Sequence, residues 1–219
     1  MDAAALQDRI YAGYGHAAKR TGFNFEVHRP TSQWRGPIDA SSRVATIPAN
    51  FTVYGTGFQF EKQSTYKQPT YNGMFDARVC KVGDYLFNAV RGTYFIAGLA
   101  EQVPPLCVGC NRTVSITSAG PAKSFGAQAP YSGADPAKDQ DVLVNWPASI
   151  IYDARGRANE QGLPLDLGSP FFGILLPATP GIDIRSGMIV TDDQTRRYII
   201  GAAENTQLGW RISSQQAVT

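Results

Sequence analysis

Two stretches of this chain pass through the same series of residues in the same order. Pro48-Ala49-Asn50-Phe51, Tyr54, Gly73-Met74-Phe75, Gly83-Asp84, Tyr94-Phe95-Ile96 and Glu101 recur as Pro147-Ala148-Ser149-Ile150, Tyr152, Gly173-Ile174-Leu175, Gly187-Met188, Tyr198-Ile199-Ile200 and Glu204. Eleven positions separate Gly83 from Tyr94, and eleven separate Gly187 from Tyr198. A unit of short apolar strands bounded by glycine turns reads as a small β module, so its recurrence predicts two such modules in tandem. Shared turn chemistry alone can make short β units look alike. What favours duplication is that six anchors keep their order, while the Pro-to-Gly interval changes only from 35 to 40 residues, a difference one loop absorbs.

At 219 residues the chain accommodates one large domain or two modules of roughly 90 residues, each near the lower size at which a core sustains itself. Charged residues are only 17% of the total, against about 25% in typical soluble domains, which suggests that much of the surface is covered by something else. A formal charge of +2, with Lys19-Arg20 and Arg196-Arg197 isolated rather than forming a stripe, does not advertise a nucleic-acid partner. No apolar run approaches the roughly 18 residues of a membrane span, and no signal-peptide pattern opens the chain, so a cytosolically made soluble protein is expected. On that route the sequons at Asn50 and Asn111 carry no meaning. Three cysteines argue against a disulfide framework.

Residues 3 to 20 read as a helix, with Asp2 at the N-cap position, Leu6, Ile10 and Tyr14 at four-residue spacing, and Gly22 beyond the end. Gly13 and Gly15 each weaken it by about 1 kcal/mol relative to Ala, so it needs a surface to dock on, its own first module or a neighbouring subunit. Phe23, Phe25 and Val27 then alternate with polar residues until Arg29-Pro30. Two hairpins follow, one turning at Asn88 to Gly92 and one at Asp192-Asp193-Gln194-Thr195. Val114-Ser115-Ile116 and Trp210-Arg211-Ile212 are read as the closing strands of the two units. The expected organisation is a mainly β protein of two small barrel- or sandwich-like modules: an N-terminal helix and strand arm over 1–30, a first module over 31–118, a loop or linker over 119–141, and a second module over 142–219.

The chemistry-bearing residues do not assemble into a reaction centre. Cys107-Val108-Gly109-Cys110 has the spacing of a zinc or redox pair, but only Cys80, His16 and His28 are at hand to complete a four-ligand set, and a strand rather than a helix follows. No G-x-S-x-G elbow or phosphate-binding glycine motif is present, and Gly55-Thr56-Gly57 reads as a hairpin turn. Two carboxylates need only meet in space to cleave a glycoside, yet Glu101 and Glu204 sit at matching repeat positions, which is more simply structural. Trp34, Tyr54, Phe58, Phe60, Tyr66, Tyr71 and Phe75 crowd one stretch, as core or as interface.

Several motifs carry a resemblance. Leu6-Gln7-Asp8-Arg9-Ile10-Tyr11 with Gly13-Tyr14-Gly15 and Ala17-Ala18, Val27-His28-Arg29-Pro30-Thr31, Val82-Gly83-Asp84-Tyr85-Leu86, Thr93-Tyr94-Phe95-Ile96-Ala97, and Pro104-Pro105-Leu106-Cys107-Val108 with Cys110-Asn111-Arg112-Thr113-Val114-Ser115-Ile116 resemble a group of proteins encoded by tailed bacteriophages and prophages. So do Leu175-Leu176-Pro177-Ala178, Pro180-Gly181, Thr191-Asp192-Asp193, Ala202-Ala203-Glu204 and Leu208-Gly209-Trp210-Arg211. The resemblance implies a non-enzymatic virion component, assembled in the host cytoplasm. Its expected place is the contractile-tail baseplate, where it would join tube, sheath and hub and contact copies of itself in a ring. A head-to-tail connector ring is the alternative within the particle, and a tail-borne cell-wall hydrolase the alternative of another class. The resemblance assigns no catalytic, cofactor-binding or metal-ligating residue, and neither a membrane, a specific nucleic acid nor a small-molecule substrate is expected as partner.

Overall fold

The computed structural model describes residues 2–53, 69–118, 139–152, 170–178 and 181–217. The chain opens with helix α1 (Ala3–Thr21), whose last turn carries Lys19 and Arg20 and whose end is marked by Gly22 N–H bonding to the Ala18 carbonyl at 2.8 Å. Asp2 occupies the N-cap position but its side chain caps nothing. The buried stripe is Tyr11, Gly15 and Ala18, one position round from the expected Leu6, Ile10 and Tyr14. Gly15 is there for proximity: a Cβ at this position would stand 2.9 Å from Cβ of Asp76, so only glycine lets the helix seat so closely.

Strands β1 (Phe23–His28), β2 (Arg43–Val53), β3 (Thr70–Phe75), β4 (Tyr85–Asn88), β5 (Gly92–Gly98) and β6 (Leu106–Cys110) form a closed antiparallel barrel in the order β1-β2-β3-β6-β5-β4, sealed where β4 returns to β1. Strands β7 (Arg112–Ser118), β8 (Gln140–Tyr152), β9 (Phe171–Leu176), β10 (Ile189–Asp192), β11 (Arg197–Thr206) and β12 (Gly209–Gln216) form a second barrel in the order β10-β11-β12-β9-β8-β7, sealed where β7 meets β10. Strand for strand, the two follow one path.

The pairing moves the expected boundaries. The strand at 23–28 belongs to the first barrel rather than to an arm, because it pairs with both β2 and β4. Val114-Ser115-Ile116 opens the second barrel instead of closing the first, pairing with β8 and β10. A single residue, Asn111, joins the barrels. The Gly- and Pro-rich stretch expected as a linker, most of which lies outside the described residues, therefore connects β7 to β8 within the second barrel.

The duplication holds in the backbone bonds. Gly83 N–H reaches the Ile96 carbonyl at 2.9 Å and Gly187 N–H reaches that of Ile200 at 2.8 Å, while Ile96 and Ile200 donate back to Asp84 and Met188, each at 2.9 Å. Leu86 faces Tyr94 as Val190 faces Tyr198, and a bulge follows both Ile96 and Ile200. Asn88 and Asp192 stand at matching positions and bind their own turns alike: Asn88 Oδ1 accepts from Val90 and Arg91 N–H, Asp192 Oδ1 from those of Gln194 and Arg196.

Two expected anchors slip, and Tyr54 lies outside the described residues. Gly73 and Phe75 face inward in β3, whereas in β9 it is Ile174 and Leu176 that do. The glycines at 73 and 173 are therefore one residue out of phase, which turns opposite faces to the core. Glu101 is in the β5–β6 turn, but Glu204 is inside β11, opposite Arg211, because the second barrel extends this hairpin.

Alternation fills both interiors. Phe25, Val27, Ile47, Ala49, Phe75, Leu86, Ile96 and Cys107 fill the first, where the Phe51 ring stacks on Tyr94 at 3.9 Å. Val114, Ile116, Trp146, Ile150, Ile174, Val190, Tyr198 and Ile212 contribute to the second. Each fully buried large side chain adds about 1.5–3 kcal/mol.

The two hairpin glycines differ in one respect that makes a test. Gly83 and Gly187 have φ of +91° and +84°, where an L side chain costs about 1–2 kcal/mol. A Cβ at Gly83 would also stand 3.0 Å from the Ala178 carbonyl oxygen in the second barrel, while Gly187 has open space. Gly83→Ala is expected to lower the urea midpoint more than Gly187→Ala; equal losses would contradict the docking of this turn on barrel 2.

Candidate interaction surfaces

A closed barrel has no free strand edge, so whatever this protein binds must meet its faces, rims or loops. One face is already used within the chain. Along β4, β5 and β6 the side chains of Leu86, Tyr94, Ile96 and Cys107 belong to the first core. Their outward neighbours Tyr85, Phe95, Ala97 and Val108 are 0%, 1%, 2% and 4% exposed, because they join the core of the second barrel. Tyr85 is the centre of this contact: its hydroxyl donates to the Pro147 carbonyl at 2.9 Å and its ring meets Trp146 edge-on, 6.0 Å between centroids. Burial pushes the Tyr85 phenol well above its ordinary pKa, so it remains a donor.

Two polar devices lock the same contact. Asn111 behaves as an extra strand residue beside β8: its N–H bonds to the Ala148 carbonyl at 3.0 Å, and its side-chain amide both accepts from and donates to Ile150, each at 2.8 Å. On the β1–β2 loop, the Gln33 carbonyl accepts from Val144 N–H at 3.0 Å. Beside it β8 carries an extra residue, Asn145, at φ +55°, a conformation asparagine tolerates better than most. Gly36 lies against the Asn145 carbonyl, where a Cβ would come within 2.8 Å.

The matching face of the second barrel is open. Ile189, Ile199, Gly201 and Gln215 occupy the places of Tyr85, Phe95, Ala97 and Val108, and Ile199 is 49% exposed. At the other end of the tandem, α1 covers the first barrel at places matching those that barrel 1 covers on barrel 2. Gly15 lies on Asp76, Gly22 against the Ala49 carbonyl, and Gln7 Oε1 accepts from Gln102 N–H at 2.6 Å. The corresponding contacts below are Gly83 on Ala178, Asn111 on Ala148 and Gly98 against Leu208.

Among the described residues the thiols and the His28 imidazole stand in packed surroundings. Strand alternation sends Cys107 into the first core and Cys110 toward the second, so the C-x-x-C thiols lie on opposite faces. Burial pushes all three thiols up, Cys80 to about 12. One acid–base chain that sequence reading missed does form: His28 Nδ1 lies 3.0 Å from Ser42 Oγ and Nε2 lies 3.3 Å from Glu26. Its serine is buried and also bonds to the Pro37 and Asp39 carbonyls and the Asp39 N–H, so it ties down the β1–β2 loop rather than facing a substrate. A cleft of about 340 Å³ between the barrels is lined by Tyr71, Tyr94, Tyr152, Arg91 and Asn111 among others, and among the described residues no carboxylate or imidazole stands on it. Glu101 and Glu204 are both exposed. Among the described residues no cluster of three metal-ligating side chains occurs, and no helix is long and apolar enough to cross a membrane.

Of the aromatic-rich stretch, Phe75 is core, Tyr71 lines the cleft and Trp34 is 58% exposed, while Tyr54, Phe58, Phe60 and Tyr66, with the Gly55–Gly57 turn, lie outside the described residues. The chain matches no family model, no curated protein and no solved structure.

Two measurements follow from this arrangement. Tyr85→Phe removes the donor to Pro147 and is expected to cost about 1–3 kcal/mol in urea unfolding, while Tyr85→Ala is expected to cost about 3–5 kcal/mol. The thiols predict an alkaline weakening. From its ordinary value of 9.0 upward the unfolded chain releases the Cys80 proton that the fold retains, so stability falls as pH rises from 9 toward 12. The limiting slope is about 1.4 kcal/mol per pH unit per thiol. Urea midpoints between pH 8 and pH 10.5 should show the decline, and Cys80→Ala should make it shallower.

Proposed function

We propose that this chain is a structural subunit of a tailed-phage particle, seated in the contractile-tail baseplate, where it joins tube, sheath and hub by protein contacts alone. The observation that carries contact as its mode of action is the treatment of its faces: both barrels are edge-free, one outer face is spent on the partner barrel, and its duplicate is left open with Ile199 half exposed. The phage setting rests on the motif resemblance, above all Val82-Gly83-Asp84-Tyr85-Leu86 and Cys110-Asn111-Arg112-Thr113-Val114. These residues form the Gly83 turn with the start of β4, and the junction between the barrels. A group of phage proteins sharing them would share the inter-barrel geometry. A tail-borne hydrolase finds less support, since among the described residues the cleft lining carries no acid pair.

Ring assembly suits such a body. Each subunit can hold several modest contacts at once, and effective concentration multiplies them into a stable collar. Cryo-EM of the intact particle is expected to show the tandem barrels repeated around the tail axis at the baseplate. Copies around the DNA channel at the neck would favour the connector reading, and absence of the chain from purified particles would overturn both.

A further inference from the structure

We propose that α1 is a displaceable plug, holding on barrel 1 the seat that the β10–β11–β12 face of a second copy takes when subunits join head to tail. The inference deepens the structural-subunit reading by naming one partner, a second copy of this chain.

The seat is defined by the duplication. Barrel 1 sits on barrel 2 through Asn111 on Ala148, Gly83 on Ala178 and Gly98 against Leu208. Helix α1 sits on barrel 1 through Gly22 on Ala49, Gly15 on Asp76 and Gln7 on Gln102. Gly22 and Asn111 are matching junctions, each directly preceding a residue paired with the matching alanine, Phe23 with Ala49 and Arg112 with Ala148. A helix thus stands where the next barrel in a longer tandem would stand. The face that would replace it exists at the far end of the same chain, carrying Ile189, Ile199 and Gly201 in the places of the buried Tyr85, Phe95 and Ala97. On that face Arg211 stands opposite Glu204, and at the seat Asp76 is paired with Arg78, so the exchange rests on shape and apolar contact rather than on charge.

The plug can leave without breaking a strand pair, although its departure uncovers Tyr11, which joins the first core, and Ala18, which is fully buried. No strand pairing involves α1, and barrel 1 closes through β4 and β1 without it. The helix has no side-chain cap and no acidic residue in its first turn. Its Gln7 amide nitrogen is buried without an acceptor among the described residues, a standing penalty on the docked state. Association through a seat that is open only a fraction of the time is weakened by that fraction, so releasing the helix should strengthen it.

The test is sedimentation velocity across a range of concentrations on the full chain. Gly15→Leu, which forces a side chain against Asp76, is expected to strengthen self-association about tenfold or more. Adding Ile199→Glu should abolish the gain. A Gly15→Leu chain that keeps the native β spectrum but associates no better than the parent would overturn the proposal, as would association indifferent to Ile199→Glu. Should Gly15→Leu fail to fold, Gln7→Cys with Gln102→Cys takes its place: the oxidised chain, its helix pinned, is expected to associate about tenfold more weakly than the reduced chain, and equal association overturns the proposal. Either failure leaves the baseplate reading standing, because that is decided by where the chain lies in the particle.

Discussion

The burial of both faces of β4, β5 and β6 is the constraint on which the rest of the molecule depends. A small barrel needs only its interior filled, and Leu86, Ile96 and Cys107 do that for the first. Tyr85, Phe95 and Val108 then extend the second core outward through the wall of the first. The two cores remain separate clusters, but the strand wall of the first barrel is buried on both sides, which raises the buried fraction of two modules of marginal size above what each reaches alone. Because closure has consumed the strand edges, this coupling relies on side-chain packing with a few polar locks, of which Asn111 and Tyr85 are the firmest.

Duplication preserved the hairpins and let the faces diverge. The Gly83 and Gly187 hairpins keep the same glycine-to-isoleucine bonds and an Asx residue at the same place, and differ in the turn, where Asn88 holds Arg91 and Asp192 holds Arg196. Outer faces keep less in common, and there Phe95 is answered by Ile199 and Val108 by Gln215. Even the ion pair of Arg29 with Asp84, at 2.8 and 2.9 Å, has no counterpart, because Met188 stands in the place of Asp84. A surface buried in one copy and wet in the other has to change composition, and this one has changed only part way.

The fold class, both hairpins and the helix were legible because each rests on local signals: period-2 alternation, Gly and Asx turns, and a glycine beyond the helix end. The module boundary was not. Cys110, Asn111 and Arg112 offer only a lone asparagine as turn signal, so the passage from one barrel to the next looks like an ordinary strand end, whereas the Gly- and Pro-rich stretch after Ser118 looks like a linker and is an internal connection. The slip at Gly73 has the same origin, since a shared glycine attracts an alignment while facing is set by tertiary register. The inter-barrel face did leave a trace: Tyr94-Phe95-Ile96-Ala97 is apolar on both parities, the mark of a strand covered on two sides, while Arg197-Tyr198-Ile199-Ile200-Gly201 is less so. The His28–Ser42–Glu26 chain left none, because its serine arrives from a loop.

The two barrels carry different surfaces on the sides they do not share. Repeat arrays ordinarily end in units whose outer side is polar, which stops growth in that direction. Here barrel 1 is covered by a helix that belongs to no strand ladder, while barrel 2 presents a face that keeps two isoleucines beside small and charged residues. A helix costs nothing in strand pairing to remove, whereas a face cannot be removed at all. Control over assembly, if exerted by the chain itself, therefore belongs on the α1 side, where the burial of Tyr11 and Ala18 can be set against that offered by an incoming neighbour without breaking a strand pair in either barrel.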